Sequence, residues 1–141
     1  MILYLDTSAL VKLYVREQGS ARVRRALTKA DQIGTSRVAH PEARAAFARR
    51  AREGSLGARA LRRAVAALEA DLPSLVVVAC GASLARRAGE LAERRALRGF
   101  DAIHLASALD LRDLSGAEVR FMAFDERLNG AAKDEGLELS P

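Results

Sequence analysis

The chain has one cysteine, no tryptophan and 4% aromatic residues in a total of 141. A single thiol, Cys80, excludes an internal disulfide and a zinc site built from several thiolates. No apolar run approaches the roughly 20 residues that span a bilayer. Met1–Leu5 leads directly to Asp6 without the basic leader of a signal peptide. From these absences we expect a cytoplasmic protein with no membrane segment. Because half of the residues are apolar, we also expect one core, rich in Ala, Leu and Val.

Positive charge is concentrated in the first half of the chain. Residues 1–72 carry 14 Lys and Arg against 7 Asp and Glu, whereas residues 73–141 carry 9 against 11. Seven arginines are crowded between Arg44 and Arg63. Such a basic face could hold a phosphate backbone. It could equally be a solvated helix surface, because Arg is a good helix former. Charge alone leaves both interpretations open.

Short apolar segments alternate with helical patterns along the chain. The expected strands cover residues 2–5, 33–35, 75–78, 119–124 and 137–139, and the β-branched run at 75–78 is expected to be buried. The expected helices cover 7–15 (capped by Thr7 or Ser8), 20–29, 36–52, 61–72, 83–95, 102–110 and 126–133. This alternation predicts one α/β domain over residues 1–141, with a mainly parallel, doubly wound sheet flanked by helices.

Acidic residues stand where ligands bind in such a sheet, beyond the carboxyl ends of the strands. Asp6 directly follows the first strand, and Asp125 directly follows the penultimate one. Glu42 and Asp101 lie near predicted helix starts. Carboxylates this close repel one another unless a cation lies between them, and hard oxygen ligands suit Mg²⁺ or Mn²⁺. The pattern therefore favours a divalent-metal site.

Each acid also has a local explanation that must be weighed. Asp101 and Asp125 stand where helix N-caps are expected. Glu42 near a helix start interacts favourably with the helix dipole. Asp6 is harder to explain locally, because the neighbouring hydroxyl residues could cap the first helix and an acid at the end of a buried strand needs a partner. Taken one at a time, these signals are weak.

Four segments, in order along the chain, resemble the signatures of the PIN-domain family, particularly its bacterial VapC-type toxins. They are ILYLDTSALVKLY at 2–14, TS at 35–36 with EA at 42–43 and AAF at 45–47, GFDAIHLASA at 99–108, and FMAFD at 121–125 followed by Leu128, Ala131-Ala132 and Gly136-Leu137. The resemblance fills almost the whole chain. The main departure is His40-Pro41 ahead of Glu42, which could change the aim of that carboxylate.

The resemblance implies an endoribonuclease that is the toxin of a type II toxin–antitoxin pair. It implies hydrolysis of RNA phosphodiesters by a water activated at Mg²⁺ or Mn²⁺. It implies four acidic metal ligands and two supporting hydroxyls: Asp6, Glu42, Asp101 and Asp125, with Thr7 and Ser8. The implied partners are an RNA substrate, an antitoxin that covers the acids, and a second copy of the chain in a homodimer.

Other residues are given structural interpretations. His104 lies one turn after Asp101, where it could contact a substrate phosphate or orient a ligand. A packed histidine satisfied by a neighbour is the favoured interpretation. Cys80 is expected to be a core thiol. Lys12 lies either near the acids or in solvent. The apolar face of Leu61, Val65 and Leu68 fits either a dimer contact or the protein's own core.

Three other functions compete with a toxin ribonuclease. A receiver-like signalling domain would need an acceptor aspartate after the middle strand, and Ala79-Cys80-Gly81 supplies none. A catalytically silent module could use the same fold to bind RNA or protein. A nuclease acting on DNA or flaps is the third, and the short length together with the VapC-like segments favours the toxin.

Overall fold

The computed structural model describes residues 1–141 and contains five strands in one sheet. The strands are β1 (Ile2–Leu5), β2 (Gln32–Ser36), β3 (Val76–Val78), β4 (Val119–Met122) and β5 (Glu138–Leu139). The helices are α1 (Thr7–Tyr14), α2 (Ser20–Leu27), α3 (Ala39–Arg52), α4 (Ala58–Asp71), α5 (Ala82–Arg95), α6 (Gly99–Ser115) and α7 (Glu126–Asp134), with one 3₁₀ turn at Leu72–Ser74. None of the helices is both long and apolar enough to cross a bilayer.

The strand order is β3-β2-β1-β4-β5, and every neighbouring pair is parallel. The chain steps outward from β1 to β2 and β3, and then returns to the other side of β1 for β4 and β5. The direction of winding therefore reverses between β1 and β4, and a crevice opens beyond their carboxyl ends. The predicted doubly wound α/β fold is confirmed.

Strand β1 is central because it is apolar on both faces. Ile2 and Tyr4 belong to the core layer formed with α5, α6 and α7. Leu3 and Leu5 belong to the opposite layer, formed with α1 to α4. Side chains alternate across a strand, so four consecutive apolar residues pack against helices on both sides of the sheet. Asp6 is the first residue after this buried strand and is itself buried, with 5% of its surface exposed.

Strand β3 lies at the edge of the sheet, and two predictions change as a result. Val76–Val78 is only partly buried, whereas the sequence predicted a buried strand. Cys80 is exposed, so the prediction of a core thiol was wrong. The strand in the middle of the sequence is also not the middle strand of the sheet. The absence of an acid after β3 therefore carries no argument about a receiver-like domain.

The apolar face of α4 packs inside the molecule. Leu68 is fully buried in the layer on the α1–α4 side of the sheet. Leu61 and Val65 are partly buried against the same layer. Of the two interpretations left open by the sequence, the protein's own core is the one that the structure confirms for this face.

Gly19 begins α2 with φ +92°, a left-handed conformation. A Cβ at this position would stand 2.5 Å from Cε1 of Phe124, the residue that leads from β4 toward α7. Lys12 Nζ lies 4.6 Å from the centroid of the same ring, which holds the ring from the α1 side. Gly19 therefore lets the α1–α2 connection pack tightly against the end of β4.

We predict that Gly19→Ala destabilises the fold more than Gly54→Ala does. Both residues have positive φ, and an alanine in that region costs about 1–2 kcal/mol. A Cβ added at Gly54 would meet no atom within 4 Å, so only the backbone cost applies there. At Gly19 the contact with Phe124 adds about 1–3 kcal/mol. Chemical denaturation of both variants measures the difference, and equal losses would contradict the packing argument.

Candidate active site

One cleft collects all of the acids singled out in the sequence. It has a volume of about 680 Å³ and opens beyond the carboxyl ends of β1 and β4. Its walls include the four acids, both predicted hydroxyls and one histidine: Asp6, Glu42, Asp101, Asp125, Thr7, Ser8 and His104. Residues as far apart as 6 and 125 in the sequence thus meet at the point where the sheet reverses its winding.

Asp6 is fixed by the start of α1. Its Oδ1 accepts a hydrogen bond of 2.9 Å from the Ala9 amide, so Asp6 is the N-cap of the helix. The prediction that Thr7 or Ser8 caps α1 was therefore wrong. Ser8 Oγ donates to Asp6 at 2.7 Å and accepts from the Phe124 amide at 2.9 Å. Burial raises the pKa of Asp6, while His104 and the bonds from Ser8 and Ala9 act in the opposite direction.

Glu42 is half-buried in the first turn of α3 and is held by two donors. Thr7 Oγ1 donates to Glu42 Oε1 at 2.6 Å, and Nε2 of His104 lies 3.0 Å from the same oxygen. Burial alone would raise the pKa of Glu42, but these hydrogen bonds lower it below its usual value. Pro41 is the third residue of α3, in its first turn.

His104 connects Glu42 to the core. It is 2% exposed, and its Nδ1 lies 3.0 Å from the Tyr4 hydroxyl. Its Nε2 lies 2.9 Å from Thr7 Oγ1 as well as 3.0 Å from Glu42 Oε1. All partners are satisfied when Tyr4 donates to Nδ1 and the Nε2 proton is shared between Thr7 and Glu42. The predicted packed histidine is confirmed, and it also contacts a candidate ligand.

Tyr4 is a functional-site residue that the sequence analysis missed. Its phenol is fully buried and stacks on Phe121, with ring centroids 5.6 Å apart. In the sequence it reads as one more apolar residue of β1. No local signal links residue 4 to residue 104, because their hydrogen bond depends on how α6 packs against the sheet.

Asp101 and Asp125 face each other across the cleft with different local roles. Asp125 is exposed and caps α7, accepting from the Leu128 amide at 2.9 Å. Asp101 is not an N-cap, because α6 already begins at Gly99; the expectation of a cap there was wrong. Its carboxylate accepts no hydrogen bond from the protein. Partial burial raises the pKa of Asp101, and the negative charge of Asp125 raises it further.

The chemistry of these side chains suits a hard divalent cation. All four acids offer carboxylate oxygens, and Asp101 accepts no hydrogen bond within the protein, although His104 and Arg98 partly offset its charge. As the side chains stand, no three of the His, Cys, Asp and Glu residues are close enough together to hold one ion. Asp6 and Glu42 are instead engaged in hydrogen bonds with the neighbouring hydroxyls and the histidine. A cation would therefore bind after those carboxylates turn, or through water.

Arginines complete the wall of the cleft. Arg49 and Arg52 from α3 and Arg98 before α6 line it beside the acids. Arg50 is engaged elsewhere, because its guanidinium donates to the Glu17 carboxylate at 2.8 and 3.0 Å. Lys12 also bonds Glu17, at 2.9 Å, so the question left open for Lys12 is answered: it forms an ion pair beside the cleft.

Comparisons with known proteins agree with this architecture. The family model described as "PIN domain" matches residues 3–134. Two ribonucleases of Mycobacterium tuberculosis, VapC45 and VapC49, are each 38% identical over 140 residues, which is 99% of this chain and 95% of theirs. Ribonuclease VapC46 of the same species is 36% identical over 142 residues, 96% of this chain and 93% of its own.

A solved structure shares the fold. The crystal structure of Mycobacterium tuberculosis VapC20, described as a sarcin-ricin loop cleaving toxin, superposes with a TM-score of 0.69 at 21% identity and covers 99% of both chains. At that identity the likeness supports the fold alone. The family model and the full-length relatives go further: this chain belongs to the PIN-domain family, among the VapC-type ribonucleases.

Proposed function

We propose that this chain is a Mg²⁺- or Mn²⁺-dependent endoribonuclease and the toxin of a toxin–antitoxin pair, with residues 1–141 acting as one nuclease domain. The observation that carries the proposal is the meeting of four carboxylates in one cleft at the switch point of the sheet. Asp101 has no hydrogen-bond partner there, and burial and the charge of Asp125 raise its pKa despite the opposing charges of His104 and Arg98. The relatives named as ribonucleases support RNA as the substrate.

Asp6, Glu42, Asp101 and Asp125 would hold the cation. When bound, it would lower the pKa of a water molecule and neutralise charge that develops on the phosphodiester. The protein's contribution is to place the carboxylates. Asp6 is fixed by its bonds to Ser8 and Ala9. Asp125 is fixed by its bond to the Leu128 amide.

Thr7 and His104 have a positioning role in this proposal. Both contact the same oxygen of Glu42, and His104 is supported from the core side by the Tyr4 hydroxyl. Side chains that orient a metal ligand commonly have a large effect on metal affinity. Thr7 thus acts through Glu42.

The proposed partners and location are part of the same proposal. An antitoxin that covers the acid cleft, a second copy of the chain in a homodimer, and a cytoplasmic location all belong to the toxin interpretation. A catalytically silent RNA- or protein-binding module is the alternative. It is disfavoured because a module without a cation has no use for a carboxylate cluster that opposes binding of RNA, and all four acids are present.

We predict that Asp101→Asn abolishes metal-dependent RNA cleavage. Asparagine keeps the size of the side chain and removes the charge that a cation needs. A mixed RNA pool with Mg²⁺ or Mn²⁺, and an EDTA control, measures the effect. Loss of at least about 100-fold is expected, since a metal ligand contributes several kcal/mol. Equal metal-dependent cleavage by both proteins, after a contaminating nuclease has been excluded, would contradict the assignment of this site.

We also predict that Thr7→Val lowers Mn²⁺ affinity by about 10-fold or more, the usual effect of losing a group that orients a ligand. Valine keeps the shape of threonine but cannot donate to Glu42. Thr7→Ser keeps the hydroxyl and is the matched control. Calorimetric titration with Mn²⁺ in the absence of RNA gives the affinities. Affinity that falls equally in both variants, or in neither, would exclude the positioning role.

A further inference from the structure

Phe100 is an exposed aromatic residue beside the acids. Its residue surface is 56% exposed, and the only other large apolar residue that stands out in this way is Leu114, at 86%. Isolated exposed apolar residues are common, so exposure alone carries no function. Phe100 differs by its position, since it lies in the first turn of α6, between Arg98 and Asp101 in the sequence.

The surroundings of Phe100 continue into the acid cleft. Phe100 lines a shallow depression together with Glu42, Arg98, Asp101 and Ile103. Three of these residues, Glu42, Arg98 and Asp101, also line the acid cleft. The depression and the acid cleft therefore share a wall that carries two of the candidate metal ligands, Glu42 and Asp101. A chain passing the acids would meet Phe100 on one side.

The other side of the acids is the exposed face of α3. Glu42, Arg49 and Arg52 stand at positions i, i+7 and i+10, which share one helix face. Ala45 and Ala46 lie between them and also line the cleft, so no bulky side chain interrupts the path. At 1.5 Å rise per residue, Arg49 and Arg52 lie about 10 and 15 Å along the helix axis from Glu42.

Arg49, Arg52 and Arg98 are free to bind a ligand. None of their guanidinium groups forms a hydrogen bond or an ion pair within the protein, and all three residues are exposed. Arg50 contrasts with them, because Glu17 occupies its guanidinium. Four carboxylates in the cleft would repel a polyanion, so cationic groups beside them are needed for a nucleic acid to approach.

We propose that this surface is a single-stranded RNA cleft, in which a base stacks on Phe100 while Arg49 and Arg52 bind phosphates on the opposite side of the acids. The proposal rests on the proposed function for the identity of the nucleic acid. It adds which residues hold the substrate, and it adds that the bound RNA is single-stranded. Arg98, which lines both the depression and the acid cleft, contributes its charge to either side.

A single strand fits this surface better than a duplex does. A base must present a free face to stack on an aromatic side chain, and bases within a duplex already stack on one another. Combined arginines and exposed aromatics are typical of proteins that bind single strands. A protein partner seated on Phe100 is the competing occupant, and measurements of RNA binding distinguish the two.

The experiment measures binding without cleavage. A fluorescein-labelled single-stranded RNA of about 12 nucleotides is titrated with wild-type protein in EDTA, from about 50 to about 200 mM salt. Fluorescence anisotropy gives the affinity, and its dependence on salt gives the number of phosphate contacts. The same titration is repeated with an RNA duplex of equal length.

Two groups of variants should differ in kind. Phe100→Ala should weaken single-strand binding about 5-fold or more, the usual effect of losing one stacked base, with an unchanged salt slope. The double variant Arg49→Gln/Arg52→Gln should reduce the slope of log K against log salt by about 1.4, since each single-strand phosphate contact contributes about 0.7. Phe100→Trp should bind at least as well as wild type.

Matched controls lie elsewhere on the surface. Leu114→Ala removes the other exposed apolar side chain of α6, and it should bind like wild type. Arg59→Gln/Arg62→Gln removes the same charge from the exposed surface of α4, and it should leave the slope nearly unchanged. Circular dichroism and thermal unfolding check that every variant is folded.

Several results would overturn the proposal. The first two are no binding of single-stranded RNA by wild type, and equal loss of affinity in Phe100→Ala and Leu114→Ala. The other two are an equal loss of affinity for duplex and single strand in Phe100→Ala, and equal salt slopes for the two double arginine variants. Loss of a co-purified antitoxin in Phe100→Ala with RNA binding unchanged would assign the surface to a protein instead.

Cleavage of the same RNA in Mn²⁺ is measured in parallel to separate the two proposals. Binding that follows the predicted pattern without any cleavage by wild type contradicts the proposed function and supports the cleft. Cleavage by wild type with an unchanged KM in Phe100→Ala and in the Arg49/Arg52 variant contradicts the cleft and leaves the proposed function intact.

Discussion

Repulsion among carboxylates is the constraint on which the site depends. The reversal of winding between β1 and β4 brings the ends of two strands together. Asp6 directly follows β1, whereas Asp125, predicted to follow its strand directly, is separated from the end of β4 by two residues. Asp6 is buried and Asp101 is partly buried, and burial raises the pKa of both. Burial disfavours the charged form of an acid, and neighbouring negative charges disfavour it further. A cation bound between the carboxylates would relieve this repulsion.

The protein offsets this repulsion unevenly. Asp6 and Glu42 receive hydrogen bonds from α1 and from His104, and the pKa of Glu42 is lowered as a result. Asp101 receives none. The network from Tyr4 through His104 to Glu42 connects the cleft to the core, whereas Asp101 has no such connection. Binding of a cation would therefore require Asp6 and Glu42 to exchange these hydrogen bonds, or to contact the cation through water.

How much the sequence predicts depends on whether a feature is local. Four apolar residues before Asp6 predict a central strand, and an acid directly after a strand predicts a place at the sheet edge. The resemblance to PIN domains adds Glu42 and Asp101, which helix starts alone do not distinguish from capping or dipole effects. By contrast, the exposure of Cys80 depends on β3 being an edge strand. The strand order cannot be read from that segment.

Errors in the helix caps have the same origin. Several neighbouring residues at the start of α1 can each accept an amide hydrogen bond, and only the backbone geometry selects Asp6. Similarly, α6 begins at Gly99, before the residue that the sequence favoured as its start, so Asp101 enters the first turn. The Tyr4–His104 bond joins residues 100 positions apart. Tyr4 belongs to an apolar strand and His104 to a helix, and neither sequence pattern indicates a contact with the other residue.

The most direct test of a cation held by these carboxylates is the thermal stability of wild type and Asp101→Asn as a function of Mn²⁺ concentration, without RNA. We expect the substitution to raise Tm in EDTA, because it removes an ionised group whose pKa is raised by burial and by Asp125. We also expect Mn²⁺ to raise the Tm of wild type and to have little effect on the variant, since a ligand stabilises the state that binds it. Equal responses of both proteins to Mn²⁺, or none in wild type, would contradict a cation site at Asp101.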